Sequence, residues 1–173
     1  MQSLGAVEAN LVGYEKGPNL LPNPSFESVD GKLPKGWKVR TYSGSGTMEH
    51  TIETAGKFVK TGKSSLRISS NGGHDTSAYA TTQLKSGVRY SLSAWIKTDR
   101  VEGGGMGVLL NVHELGQKGM TKGIRKTNDW QKVETVFVSP SSRSVTINCL
   151  FGGWGRSKGK AWFDDISLHE MSP

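Results

Sequence analysis

The stretch Arg89–Thr98, RYSLSAWIKT, alternates without a break. Tyr90, Leu92, Ala94 and Ile96 fall on one side, and Ser91, Ser93, Trp95 and Lys97 on the other. Successive side chains of a β-strand point to opposite faces, so a period of two predicts a strand whose apolar side meets a core. Its largest aromatic stands on the polar side, either beneath a second layer or open for something to stack on it. The same alternation recurs in GVLLNVHEL, where Val108, Leu110 and Val112 oppose Leu109, Asn111 and His113. In SAYATTQL, Ala78, Ala80 and Leu84 oppose Tyr79, Thr81 and Gln83; in SVTINCL, Val145, Ile147 and Cys149 oppose Thr146, Asn148 and Leu150.

Outward from these runs, strands are predicted at Thr47–Glu53, Ser65–Ser70, Ser77–Leu84, Tyr90–Thr98, Met106–Leu115, Gln131–Ser139, Ser144–Leu150 and Ala161–His169. Turn-rich segments separate them: SNGGHD, KSG, EGGG, KTND, SPSS and GGWGRSKG. No stretch of ten or more residues carries a helical stripe, and there is no internal repeat. Apolar faces of strands must cover one another, which in an all-β chain means two packed sheets, a β-sandwich. The outward face of one sheet is then expected to display Trp95 near Asn111 and His113, with Tyr79 and Gln83 beside them.

The bulk numbers agree with one globular domain. The chain has 173 residues, 34% hydrophobic and 21% charged, and its 23 glycines fit a fold with many turns. Residues 1–18 have no sustained period and are expected to be a lead-in or linker, with the domain running from 19 to 173. No run approaches the roughly 20 apolar residues of a membrane span, and no signal peptide is visible at the N-terminus. The single cysteine, Cys149, has no intrachain partner and sits in an apolar run, so a packing thiol is expected. A net charge of +7 favours an acidic partner: nucleic acid, a membrane surface or an anionic polysaccharide. The charge is dispersed, with no nucleic-acid motif, so no nucleic-acid partner is expected.

More specific residues lie along the domain. NLLPNPSFE (19–27), GW (36–37), TGKSSLRI (61–68), SGVRYSLSAWIKT (86–98), DWQKVETVF (129–137) and GKAWFDDISL (159–168) follow in an order that resembles bacterial carbohydrate-binding modules of the galactose-binding-like jelly-roll type, the group associated with xylanases and laminarinases. The resemblance implies an antiparallel jelly roll, secretion or display at a cell surface, and an appended catalytic domain in a parent protein. It also implies a structural Ca²⁺ bound by Glu27 and Asp164, with Asp165 as second choice and carbonyls from the loop 61–64; calcium needs several oxygens, and carboxylates distant in sequence can converge on it. Trp37, Trp130 and Trp162 occupy the family's framework positions and are expected to pack.

A sugar ring presents apolar C–H faces and a rim of hydroxyls, so its site needs flat aromatics flanked by amides, imidazoles or guanidinium groups. Two places have that make-up. One is the strand face with Trp95, Asn111, His113, Tyr79 and Gln83; the other is the glycine-rich loop with Trp154 and Arg156. Arg125, Arg156, Lys158 and Lys160 near these loops tilt the expectation towards acidic glycans. The leading expectation is a non-catalytic polysaccharide-binding module. The alternatives are a structural or adhesive module, in which Trp95 and Trp154 would be buried, and a small lyase or hydrolase, for which only Glu114 and Glu134 offer themselves. His50 and His74 have no supporting pattern.

Overall fold

The computed structural model describes residues 14–139 and 143–173. Eleven strands run β1 (Glu15–Asn19), β2 (Val29–Asp30), β3 (Leu33–Pro34), β4 (Lys38–Gly44), β5 (Met48–Glu53), β6 (Ser65–Leu84), β7 (Arg89–Gly103), β8 (Gly107–Val112), β9 (Lys126–Val138), β10 (Arg143–Gly152) and β11 (Ser157–Ser172). All pairings are antiparallel. Apart from β2 and β3, which pair only with each other, the strands form one continuous hydrogen-bonded sheet whose path, β8-β10-β6-β11-β7-β9, folds at β6 into two layers, the two sheets of the sandwich. One sheet has the order β5-β6-β11-β7-β9, with β1 along the far half of β11; the other has the order β4-β6-β10-β8. Between them lies the core, which contains Phe26, Trp37, Leu66, Ile68, Leu92, Ile96, Leu110, Ile147, Phe151 and Phe163. This is the all-β sandwich that the alternation predicts.

β6 belongs to both sheets. Its first half pairs with β5 and β11, its second with β4 and β10. The turn-rich SNGGHD predicts a break between two strands here; the chain instead bends and continues as one strand. Gly73 takes a left-handed φ of +103°, and a Cβ on Gly72 would strike the Ser45 carbonyl, so both glycines serve the bend rather than a reversal of direction.

Other boundaries also shift. The run Met106–Leu115 stays extended only to Val112, after which residues 113–119 turn into a 3₁₀ segment. β4 was not predicted, because an exposed edge strand, KVRTYSG, has no buried face to impose alternation. β1 falls at the end of the expected lead-in, where Glu15 and Lys16 pair with Ser172 and Met171. The rest of that lead-in, and most of the SPSS turn, lie outside the described residues. No helix among the described residues is long and apolar enough to cross a membrane. Cys149 is fully buried in the core, and burial pushes its thiol well above the ordinary value.

The bend of β6 is stitched by hydroxyls and imidazoles. Ser70 Oγ lies 2.6 Å from His74 Nδ1. Thr76 Oγ1 donates to the Arg40 carbonyl at 3.1 Å and lies 2.9 Å from His50 Nε2. Burial, with a smaller contribution from His74, lowers His50 from its ordinary value of 6.5 to about 4. A histidine held neutral in the native state but free to protonate when unfolded makes the unfolded chain bind more protons between those two values, so stability falls as the pH drops through that window. Urea denaturation at pH 7, 5.5 and 4.5 is expected to show this progressive loss, and His50→Gln to flatten it. Equal losses in both proteins would remove His50 as the source.

Candidate functional site

The second sheet turns its apolar residues inward and leaves a polar face outward. Antiparallel register aligns Lys38, Tyr79, Asn148 and Asn111 in one row across β4, β6, β10 and β8, and Arg40, Ser77, Leu150 and Leu109 in the next. Over this face opens a cleft of about 300 Å³ lined by Tyr42, Asp75, Asn111, His113, Asn148 and Trp154, among others. Its floor is polar and buried: Asn111 is 3% exposed and Asn148 1%. Asn148 Nδ2 donates to Asn111 Oδ1 at 2.9 Å and makes a long approach of 3.4 Å to His113 Nδ1. Its carbonyl Oδ1 has no partner, nor has Ser77 Oγ on the same face. A buried polar atom without a partner costs about 1–3 kcal/mol, and of these two only Asn148 belongs to the lining of the cleft, where a group entering it could bond.

Two aromatics stand at the rim. Tyr42 is 42% exposed and Trp154 49%, against 5% for Trp37 and 2% for Trp162. Tyr42 lies parallel to His113, with ring centroids 6.4 Å apart. Trp154 sits at the tip of the turn between β10 and β11 with φ +56°, a left-handed conformation that a bulky side chain adopts only under constraint. The constraint is Asp75, whose carboxylate accepts from the Gly153 amide at 3.1 Å and also bonds the amides of Trp154 and Gly155. Burial raises the Asp75 pKa, although these three amides pull it down. Gly153 fits this turn because a Cβ there would come within 2.9 Å of Leu150 Cδ2. Opposite the indole, the 3₁₀ segment is anchored by Glu114, whose two carboxylate oxygens each accept from the Thr146 amide at 3.0 Å.

The structure brings Asn111, His113 and Trp154 together and places Tyr79 and Gln83 on the same face of β6, Gln83 two steps beyond the cleft row. The lining of the cleft thus takes Asn111 and His113 from one of the two places suggested by the sequence and Trp154 from the other. Trp95 is the exception. It lies on the other sheet, between Asp164 of β11 and Lys132 of β9, half-buried with Lys60 Nζ 4.2 Å over its ring. It does not share a face with Asn111 and His113, because β7 and β8 belong to different sheets. Arg156 is exposed, with Nε 3.3 Å from Ser43 Oγ beside the cleft, whereas Arg125 Nη1 bonds the Gly103 carbonyl and Lys158 and Lys160 line a groove formed with Asp99 and Glu102. Glu134 lies in β9, on the sheet opposite Glu114, and bonds Ser91 Oγ. Trp37 and Trp162 pack: Trp37 meets Phe26 edge-on at 5.3 Å, and Trp162 stacks on Phe58 at 4.3 Å. Trp130 is half-buried.

The carboxylates expected at a metal grip the loop 60–64. Asp164, fully buried, accepts from the Lys60 and Thr61 amides at 3.0 and 3.1 Å. Asp165 accepts from Ser25 Oγ and Thr61 Oγ1, and Glu27 from the Lys63 and Ser64 amides. Among the described residues no three His, Cys, Asp or Glu side chains gather as a metal-binding group, so loop carbonyls would have to complete any coordination shell. Tyr42, Asp75, Asn148 and Arg40 are the site residues that sequence reasoning did not nominate; only Asn148, on the polar side of SVTINCL, left a signal.

The profile of a family described as Carbohydrate binding domain matches residues 18–150. The chain belongs to that family. Solved structures of similar fold include a CBM61 module in complex with β-1,4-galactotriose (17% identity, TM-score 0.57, covering 89% of this chain and 99% of that one). The enzymatically active domain of tailspike protein 4 from bacteriophage CBA120 is also similar (16% identity, TM-score 0.65, covering 88% of this chain and 21% of that one). Among curated proteins, the tRNA(Glu)-specific nuclease WapA of Bacillus subtilis subsp. natto is 27% identical over 166 residues, 88% of this chain. The chain spans only 7% of that relative's length.

Asp75→Ala removes the acceptor for three amides at the Trp154 turn. It is expected to cost about 1–3 kcal/mol of stability and to change the emission of the half-exposed Trp154. An unaltered denaturation midpoint and spectrum would mean that the glycines hold the turn without it.

Proposed function

We propose that the chain is a non-catalytic module that holds a saccharide in the cleft between Tyr42 and Trp154. The observation that carries this is Asn148, an amide buried to 1% with an unpartnered Oδ1, on the floor of a cleft rimmed by two half-exposed aromatics. Aromatic faces suit the C–H patches of a sugar ring, and the Asn148 and Asn111 amides suit its hydroxyls. The exposure of Trp154 favours this over a purely structural module, which has no use for an uncovered indole. In a longer parent, the module would anchor an appended domain on a polysaccharide outside the cell, with weak single-site affinity raised by tethering. The nuclease activity named for the longer WapA proteins is a property of those proteins.

Trp154→Ala and Tyr42→Ala are each expected to weaken glycan binding tenfold or more while costing less than about 1 kcal/mol of stability, since both side chains are half-exposed. Trp95→Ala is expected to leave binding intact. A glycan array probed with all four proteins checks this. Binding lost only in the Trp95 variant would move the site to the other sheet.

A structural calcium at Glu27, Asp164 and Asp165 belongs to the same proposal. Asp164 is buried and lies beside Asp165, and burial together with that neighbouring charge raises its pKa to about 6 against the pull of its amide donors, a situation that a cation would relieve. Chelation is expected to lower the melting temperature, and added Ca²⁺ to restore it, because an ion bound only to the native state stabilises by mass action. A melting curve indifferent to chelator would leave these carboxylates as anchors of the loop alone.

A further inference from the structure

Arg40 occupies an unusual position beside the cleft. Its guanidinium carbon lies 5.2 Å from the Tyr42 ring centroid and 4.8 Å from that of Tyr79, so two aromatic faces hold it. Its Nε donates to Tyr42 Oη at 3.1 Å, and one Nη lies 3.5 Å from His113 Nδ1. Among the described residues Arg67 and Arg100 have carboxylate partners, and Arg40 has none. The acidic groups near the cleft are committed elsewhere, Asp75 to the amides of the 153–155 turn and Glu114 to the Thr146 amide. His113 Nδ1 lies 3.5 Å from an Arg40 Nη and 3.4 Å from Asn148 Nδ2, so the imidazole joins the guanidinium to the floor of the cleft. The edge of the cleft therefore carries a guanidinium held by two tyrosine rings and without a carboxylate partner, next to the lining residues Tyr42 and His113, with the exposed Arg156 as a second cation on the same side.

A guanidinium is a planar fork of donors that matches the two oxygens of a carboxylate, and stacking on aromatic faces fixes its direction before a ligand arrives. We propose, on the strength of the saccharide reading of this cleft, that it selects a sugar bearing a carboxylate, a uronic acid residue, and that Arg40 is the specificity-determining residue that receives that group. The uronate ring would lie against the rim aromatics, with its carboxylate at the Arg40 edge and its hydroxyls towards Asn148 Oδ1.

The test is calorimetric titration with matched probes: trigalacturonic acid and its fully methyl-esterified form, 4-O-methylglucuronoxylan and unsubstituted xylan, and a sulfated disaccharide. At least one acidic probe is expected to bind tenfold or more tighter than its neutral counterpart, with the ratio shrinking as NaCl rises from 20 to 300 mM. Arg40→Gln is expected to bring that ratio close to one, and Arg40→Lys, which keeps the charge but loses the fork, to leave it intermediate. Lys132→Gln, an equal loss of charge on the other sheet, is expected to preserve the ratio. Equal or tighter binding of the neutral probes by the wild-type protein overturns the uronate inference while leaving the saccharide cleft standing, and tighter binding of the sulfated probe overturns the choice of carboxylate. Silence towards every probe and towards a broad array of neutral oligosaccharides overturns both readings. The wild-type ratio needs no variant to fold.

Discussion

One strand has to serve two sheets. β6 runs for 20 residues, and its bend at Gly72–Thr76 hands the chain from β5 and β11 to β4 and β10. A long strand can turn such a corner only where small residues let the backbone approach its neighbours and where the interrupted ladder finds other partners. The glycines supply the first condition. Ser70, His74, Asp75 and Thr76 supply the second: Ser70 binds His74 and the Gly73 amide within the bend, while Thr76 and Asp75 reach out to His50 and to the Gly153 amide. Thr76 holds the Arg40 carbonyl and so fixes β4; Asp75 holds the turn that carries Trp154; His74 fills the space beneath Gly44. Both rims of the cleft, Tyr42 on β4 and Trp154 on its turn, are thus located by a single bend.

This dependence explains what the sequence could and could not say. Strands with one buried face were legible, because a slip of one residue would bury the wrong side, and Val108, Leu110, Val145, Ile147 and Cys149 all lie inward as their alternation requires. The bend was illegible, because SNGGHD has the composition of a turn and nothing local reveals that both flanking runs belong to one strand. β4 was illegible for the opposite reason: an edge strand without a buried face leaves no period. The site suffered from both failures, since Asp75 lies at the bend and Tyr42 and Arg40 lie on β4. Strand neighbours were a third gap. Trp95 and Asn111 both stand on polar faces of alternating strands, but one face belongs to each sheet, and only long-range pairing decides that.

The other tryptophans show how burial sorts residues of one type. Trp37 donates its indole N–H to the Pro22 carbonyl and Trp162 to Glu53, so each hides its ring and satisfies its polar atom at once. Trp95 is in between, sheltered by the Lys60 stem and ammonium. Trp154 alone stands nearly half uncovered on a turn whose backbone is under constraint. Strain is retained where the surrounding structure over-determines it, and here three amides on one half-buried carboxylate do so. Such an arrangement fixes the direction of an exposed ring before any ligand meets it.

Fixing a ring in advance matters most for a ligand that offers little. A single sugar residue has few apolar atoms and many hydroxyls already satisfied by water, so its net gain on binding is small and any side chain it must first immobilise subtracts about 0.5–1.5 kcal/mol. A floor of paired asparagines on adjacent strands loses almost no freedom, because the β8–β10 ladder already holds both backbones. In the proposed saccharide site the unpartnered Asn148 oxygen would act in the ligand's favour. Its cost is already present in the empty protein, and a sugar hydroxyl that donated to it would recover it. A cleft built in this way trades a little fold stability for a site that is complete before it is filled. Tyr42 and Tyr79, whose rings both face the Arg40 guanidinium, extend the same economy to that long side chain, which would otherwise lose more freedom on binding.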